Sequence, residues 1–479
     1  MANDLSILAT STLRKALKII DNGGLGSGFV VDEDRRLVGV LTDGDVRRAL
    51  FEGADLDTSV VDIASDQYAY GLSDQGINEW TKLLSDRVKI LPLVDKNHKL
   101  ISYFRSEGHE FIPVSEPDLM GNELKYLSET ILTGWISSSG SFVEKMETEF
   151  ALFTKTKHCS LVSNGTAALQ LALQACGIGE GDEVIIPDLS FAATINAVLH
   201  VGATPVIVDI DPVSWCICPR EAELAIGPKT KAVIVVHLCG QPGQMAEITT
   251  LFKEKGLFVI EDCAEAHGAK FDGLSVGGLG DVGCFSFFAN KIISTGEGGA
   301  CVTNDPNIHD RIEVLKNHGM SKTKRYWHDV VGYNYRMTNL QAAIGVAQLQ
   351  RVEDFLNCRK SYESLFREYM QDSPLALEFQ QDLDCRERVV WLVSALANSS
   401  QQRNQIIEDL GRVQMDVRRF FYPFSAMPIY KKFAAKRCRF AEDVAERGIF
   451  LPTFNSPNYI NEIECRLSDL TSNRLKVYL

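Results

Sequence analysis

The sequence predicts an α/β protein: a large domain with a mostly parallel central sheet, a small α+β C-terminal domain, and a separate α/β module in front. Three observations carry this. From residue 157 to 303, short apolar runs with few charges alternate with helical stretches, as strands covered on both faces do. After residue 345 a long charged helix leads into mixed strand-like and helical runs. Before residue 110 one strand–turn–strand pattern occurs twice. The domain boundaries so placed are 1–110, 111–350 and 351–479.

The chain has 479 residues, 45% hydrophobic and 23% charged, enough to bury several cores. Its net charge of −14 and the lack of a long basic run argue against nucleic acid and membrane surfaces as partners. The opening Met1-Ala2-Asn3-Asp4-Leu5-Ser6 has neither the positive n-region nor the apolar core of a signal peptide, and no purely apolar run reaches the length of about 18 residues needed to cross a membrane. Twelve cysteines without a regular framework read as reduced thiols of a cytoplasmic protein. Cys216 and Cys218 are the closest pair, and with no second pair at zinc-ligand spacing no metal is expected.

In the front module, Gly28 to Thr42 reads as strand, turn, strand, and Ile90 to Phe104 is a second copy. Helical segments precede them at 11–21 and 74–85. The first copy runs on through Thr42-Asp43-Gly44-Asp45 into a helix, and this resembles the cystathionine-β-synthase (CBS) domain. The resemblance implies that Thr42 and Asp45 hold the phosphate and ribose of an adenosine-type ligand, a regulatory nucleotide. The alternative is that the two residues only cap the helix. The second copy departs from the pattern, with Arg105 and Gly108 at the matching places. Phe111 to Asp118, with two prolines, reads as a linker.

Strands of the large domain are expected at 159–163, 183–187, 205–209, 232–238, 257–261, 282–287 and 300–303. The C-terminal domain is expected to hold helices at 348–371, 402–411 and 437–447 and strands at 389–396 and 413–417.

Four stretches carry candidate chemistry. Cys284 to Gly299 runs from an apolar strand into Lys291 and a glycine-rich turn, and Ser286 lies five residues before the lysine. A lysine just past a buried strand is partly desolvated, which lowers its pKa and makes its amine a better nucleophile. Phe258 to Gly268 ends a strand in Glu261-Asp262, where open α/β sheets bind ligands. A carboxylate there suits a cofactor with a pyridine nitrogen, because the ion pair keeps the ring protonated and able to accept electrons. In Leu161 to Leu169 a strand meets Asn164-Gly165-Thr166-Ala167 and a helix, whose free N–H groups suit a phosphate. Phe191, after the strand 184–187, could stack on a flat ring.

Together these stretches resemble a fold-type I pyridoxal 5′-phosphate (PLP) enzyme, and more closely the DegT/DnrJ/EryC1/StrS family of nucleotide-sugar aminotransferases. The resemblance covers 112–475. It also takes in Gly134-Trp135-Ile136-Ser137-Ser138, His318-Gly319-Met320 and Gly332-Tyr333-Asn334-Tyr335-Arg336-Met337. It implies that Lys291 bonds to the cofactor and that Asp262 pairs with its ring nitrogen. Phe191 would stack on the ring, while Thr166, the Gly165–Ala167 backbone and Ser286 would hold the phosphate. Asn334 would reach the cofactor of a neighbouring subunit, which makes a homodimer or higher oligomer the active unit. Family members with histidine in place of the lysine are dehydratases; here the lysine is present. Where the family often has His or Gln three residues after the aspartate, this chain has Glu265.

Glu265, the run Arg325-Tyr326-Trp327-His328 and the run Arg419-Phe420-Phe421-Tyr422-Pro423 are most similar to the perosamine synthases of that family. These move an amino group from glutamate to C4 of a GDP-linked 4-keto-6-deoxymannose, for surface polysaccharides such as O-antigen. Trp135, Ser137, His318 and Tyr422 are the implied substrate contacts. Two other readings stay open. One is a 3- or 4-aminotransferase of UDP- or dTDP-linked keto-sugars. The other is a nucleotide-sensing regulatory protein with an inactive PLP lobe.

Overall fold

The structure, a computed structural model, describes residues 5–23, 26–73, 75, 77–85, 88–105, 111–370 and 376–475. Gly108 lies outside the described residues. The chain divides into two compact units, Met1–Phe111 and Ile112–Leu479.

The front unit is one motif built twice. In the first copy β1 (Ser6–Leu8) runs parallel to β2 (Ser27–Val31), which pairs antiparallel with β3 (Leu37–Thr42). In the second, β4 (Gly71–Leu72) runs parallel to β5 (Ile90–Val94), which pairs antiparallel with β6 (Leu100–Arg105). The helices Leu13–Gly23 and Ile77–Lys82 connect the parallel pairs. The turns match in detail: Asp32 accepts from Arg36 N–H and Asp95 from Lys99 N–H, while Arg35 and His98 take the left-handed conformation (φ 65° and 62°). The strands that open each copy were not expected from the sequence, because two or three residues are too few to show an alternating pattern.

The second unit is organised by a seven-stranded sheet. Its strands are β7 (His158–Val162), β8 (Glu183–Pro187), β9 (Thr204–Val208), β10 (Thr230–Val236), β11 (Phe258–Asp262), β14 (Val282–Ser286) and β15 (Gly299–Thr303), in the order β7-β15-β14-β11-β10-β8-β9. All neighbours pair in parallel except β15, which is antiparallel to both β14 and β7. Helices cover the sheet on both sides, so its strands are buried nearly throughout and read as continuous apolar runs. A mostly parallel central sheet in an α/β domain is the architecture the sequence led us to expect.

Between β11 and β14 a short hairpin, β12 (Lys270–Phe271) and β13 (Leu274–Ser275), pairs with β17 (Arg386–Glu387). The C-terminal part carries an antiparallel sheet of β16 (Glu378–Phe379), β18 (Val393–Leu396), β20 (Gly448–Leu451) and β19 (Arg418–Arg419), in that order. Helices Val352–Met370, Ser400–Arg412, Arg439–Arg447 and Ile460–Leu475 pack with it.

Two expectations are corrected. The run 413–417 is not a strand: Val413 and Gln414 close the preceding helix, and Met415 forms an isolated parallel bridge with Ile112. For the same reason 112–116 is no free linker. Ile112 and Val114 are buried, Ile112 N–H donates to the Gln414 carbonyl, and Ser115 Oγ donates to the Thr453 carbonyl at 2.8 Å. Ile112 packs into the C-terminal core and Val114 into the core on the central sheet.

Candidate active site

The chemistry-bearing segments leave the sheet at one edge, the C-terminal ends of β7, β11 and β14. This is where a parallel sheet offers backbone and loops to a ligand. Neighbouring residues of β11 point to opposite faces. Glu261 faces inward and accepts from the N–H groups of Gly277, Leu279 and Gly280 and from His237 Nε2 at 3.0 Å, which makes it a structural anchor. Asp262 faces the other way and is left for the site.

Asp262 is buried, and its Oδ2 accepts a 2.8 Å bond from Thr194 Oγ1. Burial pushes its carboxyl above the ordinary value; the Thr194 hydroxyl and the Lys291 charge pull the other way. Lys291 follows β14, and its Nζ lies 3.7 Å from Glu265 Oε1 and 4.2 Å from the centre of the Trp391 ring. Burial pushes the Lys291 amine below the ordinary lysine range, against the opposing pull of Glu265 and Asp262. Burial also raises the Glu265 carboxyl. Both partners of that pair are therefore biased towards their uncharged forms. The other Glu265 oxygen accepts from Cys239 N–H at 2.9 Å.

The helix Gly165–Ala175 starts beside this group. Asn164 caps it, accepting from Ala167 N–H at 2.8 Å, which leaves the N–H groups of Gly165 and Thr166 for an external acceptor. A side chain at Gly165 would place its Cβ 2.8 Å from Ser286 Cβ, so only glycine lets the helix start approach the end of β14 this closely. An anion cradle, a buried carboxylate and a desolvated amine thus converge.

The remaining expected residues fall into three groups. Phe191 is exposed and meets Phe421 edge-on at 5.9 Å, and Phe421 in turn stacks on Trp391 at 6.3 Å. Tyr422 lies next along the chain, exposed, with Arg419 over its ring. Trp135 and Ser137 are gathered by Asn339, which donates to both of their carbonyls, and His318 and Asn334 are gathered by Arg336. Among the described residues no hydrogen bond or ion pair joins Trp135, Ser137, His318 or Asn334 to Lys291, Asp262 or Glu265. In the front unit Thr42 and Asp45 bind each other: the hydroxyl donates to the carboxylate at 2.6 Å and accepts from Asp45 N–H, and Arg48 holds the second oxygen.

Sequence reasoning missed Thr194, Trp391 and Cys239. Thr194 sits in the segment quoted for Phe191, but its bond reaches a partner 68 residues away.

Residues 117–458 match the DegT/DnrJ/EryC1/StrS aminotransferase family. The chain belongs to this family. It is accordingly a PLP-dependent aminotransferase. Residues 1–52 match the CBS domain, which covers the first copy of the front motif. The GDP-perosamine synthase of Escherichia coli O157:H7 is 43% identical over 353 residues, spanning 74% of this chain and 95% of that one. The GDP-perosamine synthase of Vibrio cholerae is 42% identical over 346 residues, 72% of this chain and 94% of that one. Among solved structures, Spr1654 of Streptococcus pneumoniae in its PMP form superposes with a TM-score of 0.70 at 26% identity, covering 76% of this chain and 98% of that one. As in other members of the family, PLP fits this site: the glycine-lined cradle suits its phosphate, and the buried Asp262 suits a protonated ring nitrogen. Among the described residues no helix is long and apolar enough to cross a membrane.

Proposed function

We propose that the chain transfers an amino group from glutamate to C4 of a GDP-linked 4-keto-6-deoxymannose, giving a GDP-perosamine-type sugar for surface polysaccharide. The observation that carries this reading is the 42–43% identity to two GDP-perosamine synthases over 94–95% of their length, together with a lysine amine at the focus of the site.

When bound, PLP supplies an aldehyde that carries the amino group and a ring that takes up electrons. The protein's residues do the rest. Lys291, whose amine burial pushes below the ordinary lysine range, would hold the cofactor's aldehyde carbon and would serve as the general base and acid that moves a proton. Asp262 would keep the ring nitrogen protonated, and the Thr194 hydroxyl aims Asp262 and favours its ionised form against burial. The Thr166 hydroxyl, the N–H groups of Gly165 and Thr166 and Ser286 hold the phosphate, while the Ala167 N–H, which the sequence also offered, stays on the Asn164 cap. Phe191 stacks on the ring, and Glu265 stands by the amine. Trp135, Ser137, His318 and Tyr422 contact the sugar nucleotide. Asn334 completes the site of a partner subunit in a homodimer; among the described residues its side chain bonds to Arg336 and not to Lys291, Asp262 or Glu265. Thr42 and Asp45 of the CBS-type unit take an adenine or guanine nucleotide that regulates activity.

A panel of 4-keto-6-deoxy nucleotide sugars, with products read by mass spectrometry, tests the substrate. A GDP-linked 4-amino product is expected. Turnover confined to UDP- or dTDP-linked sugars would overturn the assignment. Lys291→Ala should abolish single-turnover amino transfer, and wild-type conversion by that variant would remove Lys291 from the chemistry.

A further inference from the structure

The turn that carries Lys291 is held from the C-terminal part of the chain. Three successive carbonyls each accept a side-chain hydrogen bond. Trp391 Nε1 donates to Asn290 at 3.1 Å, Arg359 Nη2 to Lys291 at 3.5 Å and Asn455 Nδ2 to Ile292 at 2.9 Å. The donors are tied to one another. Arg359 Nε donates to Asn455 Oδ1 at 2.6 Å, and its Nη1 donates to the Trp391 carbonyl.

Arg359 is fully buried, and burial pushes its guanidinium down to about 9. Each of its acceptors is a neutral carbonyl or amide oxygen, and among the described residues no carboxylate pairs with it. A guanidinium placed in the core without a counter-ion is costly unless fixed acceptors satisfy its donors. An apolar residue of the same volume would fill the space more cheaply, so the arginine's donors are the feature to explain. Their acceptors are the lysine turn and the two residues that also hold it. The sheet itself does not hold these carbonyls: the β14–β15 ladder spans Ser286 and Gly299 but not the residues between 288 and 296.

We propose that Arg359, Trp391 and Asn455 are positioning residues that clamp the Lys291 turn and so set the aim of the Lys291 amine. The inference rests on the reading of Lys291 as the amine that handles the cofactor and the proton.

Three variants test it: Trp391→Phe, which keeps the ring and loses the Nε1 donor; Asn455→Asp; and Arg359→Lys, which loses the planar fork. Asn455→Asp is the discriminating one. It gives Arg359 a counter-ion, so the thermal midpoint should hold or rise, but it cannot donate to Ile292. Expected for each folded variant is a kcat about tenfold or more below wild type with KM for both substrates within about twofold, the pattern of a misaimed group rather than a lost binding contact. In the apoprotein, the pH midpoint for labelling of Lys291 by an amine reagent, read by peptide mass spectrometry, should move while that of the exposed Lys155 stays. Wild-type kcat together with an unmoved labelling midpoint in Trp391→Phe and Asn455→Asp would overturn the clamp. If Lys291→Ala itself transfers the amino group, the reading of Lys291 fails instead, and the two failures are told apart.

Discussion

Glu265 Oε1 lies 3.7 Å from Lys291 Nζ inside the protein, while the second oxygen of the same carboxylate takes the N–H of Cys239. The carboxylate raises the amine's pKa against the stronger lowering by burial. Glu265→Gln keeps the shape and an acceptor for Cys239 but removes the charge. The Lys291 amine should then lose its proton at lower pH, so its labelling in the apoprotein should begin at lower pH than in wild type. A midpoint that stays or rises would show that Glu265 does not act on the amine.

Thr194 acts on Asp262 in the opposite sense. Burial raises the Asp262 carboxyl and the Thr194 hydroxyl bond lowers it. The ionised form is the one that serves the ring nitrogen, so activity should fall as pH drops through the Asp262 pKa. Thr194→Val removes the donor at nearly constant volume. A hydrogen bond to a charged group is worth about 1.5–3 kcal/mol, or about one to two pH units. The acid limb of kcat/KM should therefore move to higher pH by roughly that much. An unmoved limb would mean that another group sets it.

Gly165→Ala tests the phosphate cradle. The new Cβ would stand 2.8 Å from Ser286 Cβ and 3.3 Å from its Oγ, so the helix start or the end of β14 must give way. Cofactor retention on dialysis should drop, with the thermal midpoint of the apoprotein little changed. Full retention would place the phosphate elsewhere.

How far these groups could be read in the sequence depends on how local their signals are. The seven central strands stand out because burial on both faces leaves uncharged runs. Asp262 stands out because it ends such a run, and Lys291 because it follows one into a glycine-rich turn. Thr194, Trp391, Arg359 and Asn455 do not stand out. Each acts through a bond to a residue far along the chain, and its own neighbourhood looks like ordinary helix, strand edge or loop. The two-residue strands β16, β17 and β19 were illegible for the same reason: their pairing lies across the fold, and two residues have no period.

The corrected linker yields a truncation prediction. A chain beginning at Phe111 keeps Ile112 and Val114 and should fold and turn over. A chain beginning at Pro117 loses two fully or nearly fully buried side chains, each removal costing about 2–4 kcal/mol. Its thermal midpoint should fall by several degrees or it should aggregate. Equal stability of the two chains would show that 112–116 contributes nothing to the cores it enters.

His267, five residues beyond Asp262, should govern part of the acid stability. Its ring is buried among Phe285, Phe287 and Phe150, with centroids 5.4, 5.8 and 6.5 Å away. Neither ring nitrogen meets a partner at full hydrogen-bond geometry among the described residues; the Ser286 backbone is near enough only to favour the protonated ring weakly against burial. Burial, with the nearby Lys291 and Arg359 charges, lowers its pKa from 6.5 to about 3. The unfolded chain therefore takes up a proton near pH 6.5 while the folded chain does not until about pH 3. The stability tied to this residue is present above pH 6.5 and is lost as pH falls through that window. One proton corresponds to a slope of about 1.4 kcal/mol per pH unit. His267→Phe replaces an unpaired imidazole with a ring suited to its aromatic neighbours. The variant should match wild type in denaturant melts at neutral pH and decline less steeply with acid, by up to that slope. Identical slopes for the two proteins would assign the acid sensitivity to other groups.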